Sequence, residues 1–226
     1  MKIFTAIPVK ALPSVYVPGV LYIENGSELS NICQKLNYAL QKANEADADW
    51  LCFHHSDLTI NTPELVEAQL ELAYRNGARV CGVIGSLLLS DTRWWANNRP
   101  INTHGAIMQG YKDGSVKPMI DSAGFNPNMA VVDGCVLWIH KDMFGERVND
   151  YGMHLYDDDI CLRALSHDYK VAVIDVRCTH MSEGGYDAGE YQKSQQKFMN
   201  YWKKRVDFAV LPGHSKFKGD ENDSSK

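Results

Sequence analysis

Residues 2–89 switch repeatedly between two hydrophobic periods, and few folds accommodate that alternation. "KIFTAIPV" (2–9) is a short β-prone run closed by proline, and "SVYVPGVLYI" (14–23) is a second run, interrupted at Pro18-Gly19. From Glu28 to Ala46 the apolar residues Leu29, Ile32, Cys33, Leu36, Leu40 and Ala43 recur at helical spacing behind Ser27 as N-cap. "DWLCFHHSDLTI" (49–60) reads as a buried strand with a polar end. "TPELVEAQLELAYRNGA" (62–78) reads as a helix that Thr62 and Pro63 start and Asn76-Gly77 stop, and "RVCGVIGSLLL" (79–89) as the next strand. Such a succession predicts an α/β fold with a mostly parallel central sheet and helices on both faces. In that architecture ligands bind beyond the carboxyl ends of the strands.

The pattern weakens over 90–130, a Gly-, Asn- and Pro-rich stretch that holds Trp94 and Trp95. It then resumes with strands at 131–140 and 169–180, a loop and helix at 154–168, and an amphipathic helix at 189–205. We expect one domain over 1–212 and a polar, disordered tail over 213–226. Six cysteines lie far apart and none forms a CxxC pair, which predicts reduced, buried thiols in a cytoplasmic protein. No segment approaches the ~20 apolar residues of a membrane helix. A formal net charge of −5 argues against a broad basic surface for duplex DNA.

Three stretches hold residue types suited to chemistry. "FHHSDLTI" ends a buried strand with His54, His55 and Asp57, so a carboxylate and imidazoles stand where a ligand site is expected; an ordinary turn is the plain alternative. "RCTHMSEGG" closes a second strand with His180 before a Gly-rich loop. "HLYDDDICLRA" sets three carboxylates ahead of a helix. An N-cap and the helix macrodipole account for part of that charge, and Asp159 pairs with Arg163 at i,i+4. With Asp157 as last loop residue or N-cap, Asp158 is expected to be exposed and Asp157 to face the site as a general base. Trp94-Trp95 reads as core or as a stacking platform for an acceptor, and Asp133-Gly134 as a simple turn or a close ligand approach.

In order, "IFTAIPV", the helix with "LNYAL", "LCFHHSD", "GVIGS" with a following "WW", "VDGCVLWI", "HLYDDDICLRA" and "CTHMSEGG" resemble the glycosyltransferase family 2-like group of the GT-A superfamily. They resemble in particular a branch that reads H-x-D where most members read D-x-D. The resemblance implies transfer of a sugar, as in a hexosyltransferase, from a nucleotide sugar, a UDP-sugar rather than a GDP-sugar, with Mn²⁺ or Mg²⁺ on the diphosphate. It implies Asp57 and His180 as metal ligands and His55 at the first motif position. Asp157 is the implied base of an inverting reaction, with Asp159 and Arg163 as its structural pair, and Pro8 and Asn37 lie near the nucleotide. Two positions depart from the pattern: His55 stands where an Asp is usual, and Tyr156 where a Glu usually precedes the base. The acceptor stays open among a glycan, a lipid-linked sugar, a protein and a hydroxylated nucleic-acid base. A nucleotidyltransferase and a nucleotide-sugar-binding module without turnover are the alternatives.

Overall fold

Four of the apolar runs are longer than the strands they make, and the place where each one breaks organises the molecule. The computed structural model describes residues 1–10, 14, 17–26, 29–89, 92–93, 102–111, 113–122, 124–182 and 187–206. Ser27, Trp94, Trp95 and the 213–226 tail lie outside the described residues. In chain order the strands are β1 (Ile3–Val9), β2 (Val20–Glu24), β3 (Trp50–His54), β4 (Leu58–Ile60), β5 (Ala78–Gly82), β6 (Ile84–Ser86) and β7 (Thr103–Gly110). They continue with β8 (Val116–Ser122), β9 (Asn126–Met129), β10 (Val131–Val132), β11 (Val136–His140), β12 (Lys170–Val173) and β13 (Cys178–His180). The helices are α1 (Ile32–Glu45), α2 (Val66–Arg75), α3 (Tyr156–Ser166) and α4 (Ala188–Trp202).

These strands form two sheets. The first has seven strands in the order β2-β1-β3-β11-β5-β12-β9, and the second has six, with β10-β6-β7-β13-β4 in line and β8 paired to β7. The run at 49–60 passes from the first sheet as β3 to the second as β4, and 79–89 does the same as β5 and β6. The run at 169–180 does so as β12 and β13, while 131–140 crosses in the opposite sense, from β10 to β11. The breaks, at 55–57, 83, 174–177 and 133–135, therefore lie where the two sheets meet.

This crossing also brings antiparallel members into the expected sheet. Strands β1, β2, β3, β5 and β12 share one direction, as expected of a mostly parallel sheet, while β11 runs against β3 and β5, and β9 against β12, so the sheet is mixed and not strictly parallel. The reason is local. The chain reaches β11 from the second sheet, at the carboxyl end of β3, so Val136 pairs with His54 and the strand must run backwards to His140 opposite Trp50. A parallel β11 would need a crossover of a dozen residues or more, and only 133–135 are available.

Helices flank the sheets. On α1 the buried residues Ile32, Cys33, Leu36, Ala39, Leu40 and Ala43 keep the helical spacing of the sequence and pack on β1 and β3. Leu36 and Leu40 are fully buried, and truncating either to alanine costs about 2–5 kcal/mol. The N-cap of α1 is Asn31, whose side chain accepts from the Gln34 N–H, so the helix starts later than the sequence suggests. Pro63–Leu65 form a 3₁₀ turn before α2, and the Thr62 hydroxyl accepts from the Arg177 N–H instead of capping the turn. All six cysteines are free and buried. Among the described residues no helix is long and apolar enough to cross a membrane.

Candidate active site

The break after β3 presents His55 and Asp57, and the end of β13 presents His180. The two segments meet because β13 pairs antiparallel with β4, which sets His180 opposite Leu58. His55 Nδ1 lies 3.3 Å from His180 Nε2, and His180 Nε2 lies 3.3 Å from Asp57 Oδ1. One ligand atom from each of the three falls within 4.8 Å of the others, an arrangement able to hold a metal ion. Burial lowers the pKa of His55, which keeps the ring neutral, and the His180 ring beside Asp57 holds its carboxyl below the usual range. A neutral imidazole and an ionised carboxylate are the forms that bind metal.

The break between β10 and β11 brings Asp133, Gly134 and Cys135 to the same place. The His55 N–H donates to the Cys135 carbonyl at 2.9 Å, tying the two breaks together. Asp133 accepts from the Cys135 N–H at 2.8 Å, closing a tight turn. The Gly134 N–H donates to Asp157 Oδ2 at 2.9 Å, and the Tyr156 hydroxyl donates to the Gly134 carbonyl at 2.7 Å. Only glycine fits there, since a Cβ on residue 134 would stand 2.3 Å from the Tyr156 oxygen and 3.0 Å from Asp157 Oδ2.

Asp157 enters this site through a strained turn. Leu155, buried and at φ 65, holds the left-handed conformation that costs a residue with a side chain about 1–2 kcal/mol. The helix then begins at Tyr156, so Asp157 sits in its first turn, not in the loop or at the N-cap. Burial and the nearby Asp133 carboxylate push the pKa of Asp157 up to about 7. Asp158 is 1% exposed, against the expectation of an exposed acid. Asp159 pairs with Arg163 at 2.7 Å as expected, and it also accepts from the Tyr151 hydroxyl and the Trp202 indole N–H.

Three cavities surround these groups. One of about 250 Å³ is lined by Pro8, Lys35, His55 and Asp57, among others. A second, of about 260 Å³, is lined by His55, Asp133, Gly134, Tyr156 and Asp157. The third, of about 310 Å³, reaches His180 and Asp133 from the second sheet, past Gln109 and Tyr111. The structure thus brings together Pro8, His55, Asp57, Asp133, Gly134, Asp157 and His180. It does not bring Asn37, whose side chain donates to the Val148 carbonyl and accepts from the Val148 N–H, both at 2.9 Å. Lys35 was missed, although a lysine between Ile32 and Leu36 on the apolar face of α1 was a readable signal. Its buried ammonium donates to the Val9 carbonyl and to Asn25 Oδ1.

A model of a glycosyltransferase-like family matches residues 9–202. The chain belongs to that family. Glycosyl transfer is therefore its general activity, and the family as a whole pairs a sugar donor with an acceptor. No curated protein matches the chain. Among solved structures it is similar to one described as the crystal structure of A197 from STIV, at 12% identity and a TM-score of 0.46, over 80% of this chain and 86% of that one. Within the family's span, residues 9–202, lie the three metal-ligand candidates, Asp133, Gly134 and Asp157.

Proposed function

We propose that this glycosyltransferase-like chain moves a sugar from a UDP-sugar to a hydroxyl group with inversion, that Asp157 is the base, and that residues 1–212 are the catalytic domain. The observation that carries the reading is Asp157 itself. Its carboxylate, with a pKa near 7, lines the same cavity as His55, one member of the cluster that can hold a metal. A base is most effective when its pKa lies close to the working pH.

Pro8, Lys35, His55 and Asp57 line the cavity we assign to the nucleoside diphosphate. Asp133 and Gly134 line the cavity we assign to the acceptor, and Trp94 and Trp95 are further acceptor candidates from the sequence alone. Gly134 aims Asp157 through its N–H, and Asp133 raises the proton affinity of that carboxylate. As the acceptor oxygen bonds to the anomeric carbon, its proton passes to Asp157. The bond from that carbon to the diphosphate breaks, and its electron pair leaves with the diphosphate oxygen. Attack on the face opposite the leaving group inverts the centre.

The donor set of two imidazoles and a carboxylate fits a divalent transition metal such as Mn²⁺ better than Mg²⁺, which prefers oxygen ligands. When bound, such an ion supplies positive charge that offsets the charge on the leaving diphosphate. A cytoplasmic setting suits the six free thiols. Calorimetric titration with UDP and GDP, with and without Mn²⁺, tests the donor site. UDP binding that needs Mn²⁺ and is lost in Asp57→Ala is the expected result. Absence of binding by either nucleotide would remove the donor assignment, and UDP binding without release of UDP from UDP-sugars would leave a binding module.

A further inference from the structure

The hydrogen bonds around Tyr156 leave little freedom for one proton. A tyrosine hydroxyl has a single proton to donate, and a carbonyl oxygen can only accept. The Tyr156 oxygen lies 2.7 Å from the Gly134 carbonyl oxygen and 2.9 Å from His55 Nε2. The hydroxyl proton must therefore go to Gly134, since two buried oxygens 2.7 Å apart with no proton between them repel. His55 Nε2 must then carry a hydrogen and donate it to the Tyr156 oxygen. A neutral imidazole has one N–H, so Nδ1 is left with its lone pair, and Nδ1 is the atom that faces His180 Nε2, itself 3.3 Å from Asp57 Oδ1.

The backbone of His55 is held independently. Its N–H donates to the Cys135 carbonyl at 2.9 Å, and its own carbonyl lies 2.8 Å from His54 Nδ1. What the Tyr156 hydroxyl adds is thus the choice of tautomer and the tilt of the ring. Tyr156 is also wedged against Gly134 so closely that no Cβ fits between them.

We propose that Tyr156 is a positioning residue: through its hydroxyl, oriented by the Gly134 carbonyl, it locks His55 in the Nε2–H tautomer and aims the Nδ1 lone pair at a divalent metal ion shared with Asp57 and His180. The Gly134 peptide then serves both halves of the site, its carbonyl fixing the metal ligand through Tyr156 and its N–H holding the base Asp157. The inference rests on the metal-centre reading above. It also gives a physical reason for a tyrosine where the resembled pattern has a glutamate: with histidine at position 55, a hydroxyl anchored to a carbonyl selects the ligating tautomer. Outer-shell partners of this kind typically change metal affinity by 10–100-fold.

The test is a long-range ¹H–¹⁵N correlation spectrum of the histidine rings in the metal-free protein at neutral pH, together with calorimetric titration with Mn²⁺. Wild-type His55 is expected as a neutral ring protonated at Nε2, and Tyr156→Phe, which keeps the ring packed edge-on to Phe53, is expected to lose that single tautomer. Mn²⁺ affinity is expected to fall about 10–100-fold in Tyr156→Phe. A wild-type His55 protonated at Nδ1 overturns the proposal, as does a Tyr156→Phe protein with unchanged tautomer and affinity. Should that variant not fold, the wild-type spectrum decides by itself. If wild-type protein binds no Mn²⁺, the metal-centre reading fails, while the spectrum still reads whether Tyr156 sets the tautomer.

Discussion

Asp157 and Asp159 are the same residue type, two positions apart in the first turn of one helix, yet the fold treats them in opposite ways. Asp159 is fully buried and accepts from four donors: Arg163 Nε at 2.7 Å, the Tyr151 hydroxyl at 2.7 Å, Trp202 Nε1 at 2.6 Å and the Asn149 N–H at 3.2 Å. Asp157 is held by backbone N–H groups, that of Gly134 at 2.9 Å and those of the helix's own first turn at Asp157 and Asp158, and it faces the Asp133 carboxylate. A carboxylate saturated with donors, one of them a guanidinium, has nothing left to offer a substrate. A buried carboxylate held by peptide N–H groups alone, beside a like charge, retains a strong appetite for a proton. Partner supply, not residue type or helix position, separates structure from chemistry here.

The largest effect expected from breaking this contrast is on stability. Asp159→Ala leaves the Arg163 charge, the Trp202 N–H and the Tyr151 hydroxyl without their shared acceptor, a loss of about 3–5 kcal/mol. For a chain of this size that lowers the thermal midpoint by roughly 10 °C, measurable by calorimetry or circular dichroism. A midpoint within ~2 °C of wild type would mean that α4 and the 149–151 loop do not depend on this hub.

Asp157→Asn is expected to behave in the reverse way. The amide keeps the acceptor for Gly134 and removes a charge next to Asp133, so the fold is retained while sugar transfer falls at least ~100-fold, or about 2.7 kcal/mol in barrier. Single-turnover transfer with saturating donor checks this. Undiminished transfer would place the base elsewhere and dissolve the contrast.

A smaller effect is the dependence of stability on pH. Folded Asp157 has a pKa raised to about 7, against roughly 3.9 when unfolded, so the native state binds the proton more tightly. Its contribution is fully present below about pH 4 and is lost as pH rises through about 7. Urea unfolding of the metal-free protein from pH 4 to 8 should show wild type losing stability relative to Asp157→Asn across that window. Asp133→Asn should pull the upper end of the window down by removing the like charge. Superimposable profiles would show that Asp157 titrates like an ordinary surface acid.

The two aspartates also mark how far the residues alone carry the argument. The Asp159–Arg163 pair is local, four residues apart on a helix, and the strand ends at His55, Asp57 and His180 follow from hydrophobic runs that end in polar residues. The transfer of those runs between sheets was not legible, because Val83 continues the apolar pattern between β5 and β6 without a turn residue. Nor was the left-handed Leu155, since leucine carries no signal for positive φ and the turn is imposed by packing around it. The Trp202 bond to Asp159 and the Tyr156 bond to His55 span 43 and 101 residues, so only the assembled fold reveals them. Asp158, expected to be exposed, is buried, on a helix that packs against β10, β12 and β5.

Asn37 extends the contrast from carboxylates to amides and carries the smallest effect. The resemblance put it near the nucleotide, but both ends of its amide are engaged by Val148, a pairing across 111 residues that joins α1 to the loop before α3. By the reasoning that separates Asp159 from Asp157, a side chain with both its donor and acceptor engaged is a clamp. Asn37→Ala should therefore cost about 1–3 kcal/mol of stability, the scale for two lost hydrogen bonds that leave partly buried backbone groups to solvent, with UDP affinity unchanged once folded. Paired measurements of urea unfolding and calorimetric UDP binding separate the outcomes. Weakened nucleotide binding at unchanged stability would show that the amide turns from Val148 to the donor when the site fills, and that engagement in the free protein does not by itself exclude a residue from the chemistry.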